Sequence, residues 1–278
     1  MNKSIKIGGA SGFWGDSVIA TPKLLHGNKL DFIVYDYLAE ITMSIMARAR
    51  AKDSTKGYAV DFVSSVLKLN LKQIADQKIK ILSNAGGVNP VACAEAIREL
   101  VKELNLDLNV SVVLGDDLID KKDQFYKLQI KEMYSNDLFP QEEKIASINA
   151  YLGAFPIAKA LNEGADIVIT GRSVDSAVTL GACIYSFGWN ENDYDKLAAG
   201  SLAGHIIECG TQSTGGNFTD WELVSKNLHE IGYPIVEVSD NGSFICTKSK
   251  DTAGMVSFGT VAEQMLYCLL YTSPSPRD

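Results

Sequence analysis

Residues 4–16 read SIKIGGASGFWGD, an apolar run that leads directly into a glycine-rich loop. Such a loop between a short apolar run and a helical pattern is typical of the first unit of an α/β fold. The same order recurs along the chain, and the pattern predicts six strands, at Ser4–Gly8, Asp31–Tyr35, Lys78–Ser83, Asn109–Leu114, Ile145–Asn149 and Asp166–Thr170. Because their apolar residues are consecutive rather than alternating, we expect both faces of the sheet to be buried.

Amphipathic helical patterns, with apolar residues three and four positions apart, separate the predicted strands. They lie at Leu38–Ala51, Tyr58–Ile74, Pro90–Leu104, Gly153–Glu163, Ser176–Phe187, Tyr194–Glu208 and Thr260–Tyr267. Two β runs, Ile235–Val238 and Ser243–Thr247, flank Asn241-Gly242, a dipeptide typical of hairpin turns. We predict an α/β fold: a mostly parallel, Rossmann-like sheet with helices on both faces and a small additional β-hairpin region toward the C-terminus.

The composition disfavours several classes of protein. Among 278 residues there are 26 Lys plus Arg against 34 Asp plus Glu, a net charge of −8, which disfavours a nucleic-acid partner. A hydrophobic share of 46% is that of an ordinary globular chain. The sequence has no apolar run long enough for a membrane span and no CxxC pair. A cytoplasmic location without membrane association, structural zinc or disulfides is expected.

The last residues, 268–278, read CLLYTSPSPRD. They agree codon for codon with one reading frame of a widely used sequencing adapter, so we expect them to be a non-native tail. Residues 1–267 would then form one α/β domain. Because this domain ends inside a predicted helix, we expect it to be incomplete at its C-terminal end.

Ligands of doubly wound sheets bind beyond the carboxyl ends of the strands, so the loops at those ends are candidate sites. Glycines let the backbone approach a ligand closely, and free amides attract anions. The predicted substrate-binding residues in the loops after the first and third strands are Gly9, Ser11, Gly12, Asp16, Asn84, Gly86, Gly87 and Asn89. The expected ligand is a small anionic molecule.

An NAD(P)-dependent oxidoreductase is one alternative. Gly9, Gly12 and Gly15 have the spacing of a dehydrogenase nucleotide loop, and Asp36 lies near the position of a ribose-binding acid. Two features disfavour it: Pro22 interrupts the helix that should follow the loop, and the sequence lacks the Tyr-x-x-x-Lys pair of such enzymes.

The loop after the last predicted parallel strand, GRSVDS at 171–176, contains an arginine and an acid. Arg172 can bind a carboxylate or a phosphate through two hydrogen bonds, and Asp175 can act as a base. The alternatives are that Asp175 caps the next helix or pairs internally with Arg172.

His205 and Glu208 lie three residues apart on a predicted helix and therefore share one face. They are candidates for an acid–base pair, with Asp175 as a third catalytic group. A buried, hydrogen-bonded histidine is an alternative; a metal site is not predicted, because no further ligands stand at a suitable spacing. The glycine-rich stretch that follows adds Asn217 and Asp220 as candidate substrate-binding residues.

Several long blocks, in the same order, resemble the N-terminal domain of the acyclic terpene utilisation protein A family, AtuA. They are IGGASGFWGDS at 7–17, DYLAEITMSIMARAR at 36–50, SNAGGVNP at 83–90, GADIVITGRSVDSA at 164–177, and LAAGSLAGHIIECGTQSTGGNFTDW at 197–221. The resemblance implies a protein of citronellol and geraniol breakdown, a pathway with acyl-CoA intermediates. It supplies no catalytic residues.

From this resemblance we expect a catabolic enzyme that acts on an acyl-CoA or a branched-chain acid. A CoA thioester is one candidate substrate, and no cofactor is assigned. The alternative within the same family is a non-catalytic partner of an acyl-CoA carboxylase. Association into a homo-oligomer is also open.

Overall fold

The computed structural model describes residues 3–16 and 18–267; the predicted non-native tail, 268–278, lies outside them. A single sheet runs through the described part in the order β4-β5-β3-β2-β1-β6-β7. Its strands are β1 (Ser4–Gly9), β2 (Phe32–Tyr35), β3 (Lys80–Ser83), β4 (Val110–Val113), β5 (Ile167–Thr170), β6 (Pro234–Ser239) and β7 (Phe244–Lys248). Strands β1 to β5 are parallel, and β6 and β7 are antiparallel. The predicted α/β fold with a mostly parallel sheet is confirmed.

The helices follow the predicted patterns, with ends that differ by a few residues. They are α1 (Ala20–Leu25), α2 (Glu40–Lys52), α3 (Lys68–Asp76), α4 (Pro90–Glu103), α5 (Lys122–Lys127), α6 (Phe155–Asn162), α7 (Ala177–Phe187), α8 (Tyr194–Ile207) and α9 (Phe258–Leu266). A π-helical segment, Phe62–Leu67, leads into α3. The short helices α1 and α5 lack a clear apolar period in the sequence and were not predicted. No helix in the described ranges combines the length and apolar character that crossing a membrane requires.

Two hydrophobic cores cover the two faces of the sheet. Ile33 and Ile81 pack with α1 to α4 on one face, whereas Val34 and Leu82 pack with α6 to α8 on the other. The connection that leaves β3 therefore runs over one face, and the connection that leaves its neighbour β5 runs over the opposite face. Such a reversal opens a crevice between the carboxyl ends of two adjacent strands, where ligands of doubly wound sheets bind.

The predicted hairpin is confirmed, and it extends the central sheet. Strand β6 pairs antiparallel with β1, and β7 pairs with β6. Gly242 takes a φ of 90° in the turn, a conformation that favours glycine. The backbone N–H of Gly242 donates to the carbonyl of Ser239, which closes the turn at 2.9 Å.

The predicted strand Ile145–Asn149 is wrong. In this stretch Asn149 forms an isolated β-bridge to Asp117, and the remaining residues form no regular secondary structure. Ile145 and Ile148 are separated by Ala and Ser and are only half-buried, so the stretch lacks the apolar surface that an interior strand needs. It belongs to the long connection between β4 and α6. We call residues 117–151 the arm.

Helix α8 ends in direct contact with the loop after β1. A Cβ atom built on Gly9 would lie 2.2 Å from the carbonyl oxygen of Ile207, and one on Gly12 would lie 2.8 Å from the carbonyl carbon of Cys209. Real side chains do not tolerate such distances. Glycine is therefore required at both positions so that α8 can approach the sheet.

We expect Gly9→Ala to lower the free energy of unfolding by about 1–3 kcal/mol, because the new methyl group must push the end of α8 away from β1. Chemical denaturation measures the loss. Gly153→Ala is the matched control, since a Cβ atom there meets nothing within 4 Å. Equal unfolding midpoints for the two variants would contradict this account of the packing.

Candidate active site

Three carboxyl groups meet at the carboxyl edge of the sheet. Asp36 follows β2, Asp175 follows β5 and Glu208 follows α8. One oxygen atom from each lies within 4.8 Å of the other two. We call Asp36, Asp175 and Glu208 the acidic cluster. The sequence predicts Asp175 and Glu208 as catalytic residues, and Asp36 only as a ribose ligand of the NAD(P) alternative.

Asp36 is buried, and neighbouring loops hold it in place. The side-chain amide of Asn84 donates to Asp36 Oδ1 at 2.5 Å, and the backbone N–H of Leu38 donates to the same atom at 3.2 Å. Asn84 is itself fixed, since its Oδ1 accepts the N–H of Tyr37 at 2.8 Å. The hydroxyl of Ser11 donates to the carbonyl of Asp36 at 2.9 Å. The predicted residues Ser11 and Asn84 thus orient Asp36.

Burial raises the pKa of Asp36 well above its ordinary value, and the nearby Asp175 and Glu208 raise it further. The hydrogen bond from Asn84 acts in the opposite direction but is the weaker effect. A charged carboxylate without water loses its hydration, and like charges close by add repulsion. Asp36 therefore binds a proton more tightly than an exposed aspartate.

His205 and Glu208 contact each other, as their spacing predicted. The distance from His205 Nδ1 to Glu208 Oε1 is 2.8 Å. His205 Nε2 lies 3.2 Å from the carbonyl oxygen of Met265 in α9. A carbonyl only accepts, so Nε2 carries a hydrogen, and the next proton lies between Nδ1 and Glu208.

This shared proton is held tightly. The hydrogen bond to Glu208 raises the pKa of His205, and burial raises the pKa of Glu208, whose side chain is only 9% exposed. Glu208 also faces Asp175 in the acidic cluster. The His205–Glu208 pair therefore holds a proton next to the partly exposed carboxyl group of Asp175.

Arg172 is buried beneath the cluster, and protein groups hold its guanidinium. Nη1 donates to Asp175 Oδ1 at 2.6 Å and to the carbonyl of Leu38 at 3.1 Å. Nη2 donates to Glu40 Oε1 at 3.2 Å and to the hydroxyl of Tyr151 at 3.1 Å. The internal pair of Arg172 with Asp175, left open by the sequence, is present. Glu40 and Tyr151 were not predicted as site residues, and no local motif marks them.

The glycines of the predicted binding loops contact the protein itself. A Cβ atom on Gly86 would lie 2.4 Å from the carbonyl oxygen of Thr170, and one on Gly87 would lie 2.2 Å from Met46 Sδ. At Gly9 and Gly12 the end of α8 fills the space that a dinucleotide pyrophosphate would need. The geometry therefore gives no support to the NAD(P) alternative at this loop.

The remaining predicted residues either lie apart from the acidic cluster or accept hydrogen bonds from backbone N–H groups. Asn89 caps α4, where its Oδ1 accepts the N–H of Ala92 at 3.4 Å. Asp16 accepts the N–H of Gly12 at 2.9 Å. Asn217 and Asp220 are exposed in a loop that contacts α9, and the contacts of the described residues connect neither to the acidic cluster.

Among the described residues, the acidic cluster is also the group that could hold a metal ion. Three carboxylate oxygens suit Mg²⁺ or Ca²⁺, which prefer oxygen ligands. The cation of Arg172, which is paired with Asp175, compensates part of this charge. The raised pKa values of Asp36 and Glu208 also suit these groups to proton transfer.

A protein-family model described as acyclic terpene utilisation family protein AtuA matches residues 5–271. No curated protein matches the chain, and no solved structure does.

The free energy of unfolding should fall as the pH rises above about 4, the ordinary carboxyl pKa, and on through the raised pKa values of the folded state. The pKa values of Asp36, Glu208 and His205 are raised in the folded state, so the fold keeps protons that the unfolded chain has released. This stabilisation is complete below the unfolded pKa, about 4 for the carboxyls and about 6.5 for histidine, and is lost as the pH passes the folded values.

Asp36→Asn removes one of these titrating groups and keeps the acceptor for Asn84 and Leu38. Urea denaturation at a series of pH values should give a flatter profile for this variant than for the wild type. Glu191→Gln, at an exposed loop position, is the control and should follow the wild-type profile. Parallel profiles for Asp36→Asn and the wild type would refute the role assigned to Asp36.

Proposed function

Since the chain belongs to the acyclic terpene utilisation family AtuA, we propose that it is a catabolic enzyme that acts on an acyl-CoA or branched-chain acid intermediate of acyclic terpene breakdown. The observation that supports an enzyme is the acidic cluster. Three carboxyl groups with oxygens within 4.8 Å of one another meet at the carboxyl edge of the sheet, and the most exposed of them, Asp175, is partly open to solvent.

The acidic cluster supplies both a proton donor and a proton acceptor. Glu208 shares a proton with His205 and can donate it to a substrate oxygen or carbon, after which His205 restores it. Asp175 is the member that a substrate reaches first, and it is the proposed base. Burial and the two neighbouring acids raise the pKa of Asp36, which favours its neutral form and so limits the negative charge that the site must hold.

Arg172 is the proposed binding group for the negative charge of the substrate. Its Nη2 atom contacts the carboxylate of Glu40, whose side chain is 79% exposed, although the guanidinium itself is buried. An exposed carboxylate is easily displaced, because water replaces its lost partner. We propose that the acid group or thioester oxygen of the substrate takes the place of Glu40 on Arg172, which sets its reacting carbon beside Asp175.

Glu208→Gln should lower turnover at least about 100-fold, because Gln cannot donate or accept the transferred proton. The assay follows the CoA thioesters of the acids derived from citronellol and geraniol, and the free acids, by mass spectrometry. Glu191→Gln should retain wild-type turnover, and circular dichroism should show that both variants are folded. Wild-type turnover in Glu208→Gln would refute the assignment. If the wild type binds acyl-CoA carboxylase subunits but turns over none of these compounds, the non-catalytic alternative is favoured.

Glu40→Gln should strengthen the binding of the free branched-chain acids by about two- to fivefold, because the substrate no longer competes with a carboxylate for Arg172. Isothermal titration calorimetry with the acids derived from citronellol and geraniol measures the change. The gain should diminish at high salt. An unchanged or weaker affinity would show that the acid group of the substrate binds somewhere other than at Arg172.

A further inference from the structure

Helix α9 packs against the rest of the domain largely through polar side chains. Its two buried residues are Thr260 and Gln264, each 1% exposed, whereas its Phe258 is 93% exposed. Val261 adds a half-buried apolar contact with the core. A helix usually gains stability by burying an apolar face, and a buried polar group costs free energy unless it forms hydrogen bonds. Stability alone therefore does not account for the polar face of α9.

The start of the helix accounts for Thr260. Ser257 Oγ accepts the N–H of Thr260 at 3.2 Å, and Thr260 Oγ1 accepts the N–H of Ser257 at 2.9 Å. These two bonds form a capping box, which satisfies backbone groups at the N-terminus of a helix. Gln264 lies in the last turn of α9 and has no part in this cap.

The side chain of Gln264 reaches the end of α8. Its Nε2 donates to the backbone carbonyl of His205 at 2.7 Å, and its Oε1 accepts no hydrogen bond within the described residues. The side chain also lies beside the thiol of Cys209, which directly follows Glu208. A buried amide that leaves one of its polar atoms without a partner adds little to stability. The contact therefore serves the placement of the residues that Gln264 touches.

Helix α9 holds His205 at two atoms. Gln264 binds its backbone carbonyl, and the carbonyl oxygen of the next residue, Met265, lies 3.2 Å from its ring atom Nε2. One turn of α9 therefore sets both the backbone and the ring of His205. Because a carbonyl only accepts, this contact keeps a hydrogen on Nε2 and leaves Nδ1 to face Glu208, 2.8 Å away.

We propose that Gln264 is a positioning residue for the His205–Glu208 pair. Its bond to the His205 carbonyl holds the last turn of α9 against α8, so that the Met265 carbonyl stays on Nε2 and Nδ1 stays directed at Glu208. The hydrogen bond at one ring nitrogen decides the role of the other. The effect of Gln264 on turnover rests on the reaction proposed above, whereas its effect on the His205 ring does not.

Nuclear magnetic resonance of the isotope-labelled full chain tests the placement of the ring. A ring hydrogen that is bound to a carbonyl exchanges slowly with water and gives a resolved signal. Of the three histidines, His26 and His229 are exposed and serve as internal references. Methionine is similar in length to glutamine but has no donor. In Gln264→Met we therefore expect the ring hydrogen of His205 to exchange roughly two- to tenfold faster, as the loss of one hydrogen bond predicts.

Glu263→Gln is the matched control. It changes the neighbouring residue of α9 and keeps an acceptor for the N–H of Thr219, which Glu263 Oε2 binds at 2.9 Å. Its ring exchange should equal that of the wild type. Gln264→Asn retains the amide but is one methylene shorter, so it should behave like Gln264→Met and takes its place if circular dichroism shows that the methionine variant does not fold.

Turnover provides the second measurement. Gln264→Met should lower kcat about tenfold or more and leave KM unchanged, because the proton donor is misplaced while the substrate still binds at Arg172. Equal exchange rates in Gln264→Met and the wild type, or a wild type without a slowly exchanging ring signal, would overturn the proposal. Faster exchange with an unchanged kcat would overturn it as well. Faster exchange in a chain that turns over none of the compounds would refute the proposed reaction and support the placement of His205 by Gln264.

Discussion

The close approach of α8 to the sheet determines where the groups of the candidate site lie. Gly9 and Gly12 leave room for the end of the helix, and a Cβ atom on Gly204 would lie 2.8 Å from the side chain and backbone of Ser176. Because these glycines lack side chains, the backbone of α8 comes into direct contact with the backbone of the neighbouring segments. The approach carries Glu208 to the carboxyl edge of the sheet, where it meets Asp36 and Asp175. A longer helix-to-sheet distance would separate the three carboxyl groups.

Three acids at this distance are unfavourable in charged form, and the surrounding residues reduce the cost in different ways. Arg172 supplies a positive charge to Asp175, Asn84 donates to Asp36, and His205 shares a proton with Glu208. A buried charge is tolerated only when it is paired and hydrogen-bonded. The raised pKa values of Asp36 and Glu208 favour their neutral forms, which lowers the negative charge further. The arrangement costs stability in the folded state, and such local conflicts are typical of functional sites.

The contacts that the sequence predicts are the local ones. Arg172 with Asp175 and His205 with Glu208 are three residues apart, so the helical and turn geometry alone brings them together. The place of Asp36 in the cluster depends on the order of the strands, which no local spacing encodes. The glycine loops were assigned to ligand binding because glycine permits any close approach, whether by a ligand or by another backbone. The strand expected at Ile145–Asn149 failed because two separated isoleucines cannot fill an interior position.

Arg172 connects the acidic cluster with the arm. Its backbone N–H donates to Asp116, the residue that precedes the arm, and its guanidinium contacts Tyr151, the last residue of the arm, together with Glu40. Tyr151 donates its hydroxyl hydrogen to Glu40, so a ligand that displaces Glu40 from Arg172 also removes a partner of Tyr151. Ligand binding at the cluster and the order of the arm are then coupled. Because such coupling is reciprocal, a change in the order of the arm would also change the affinity of the site for its ligand.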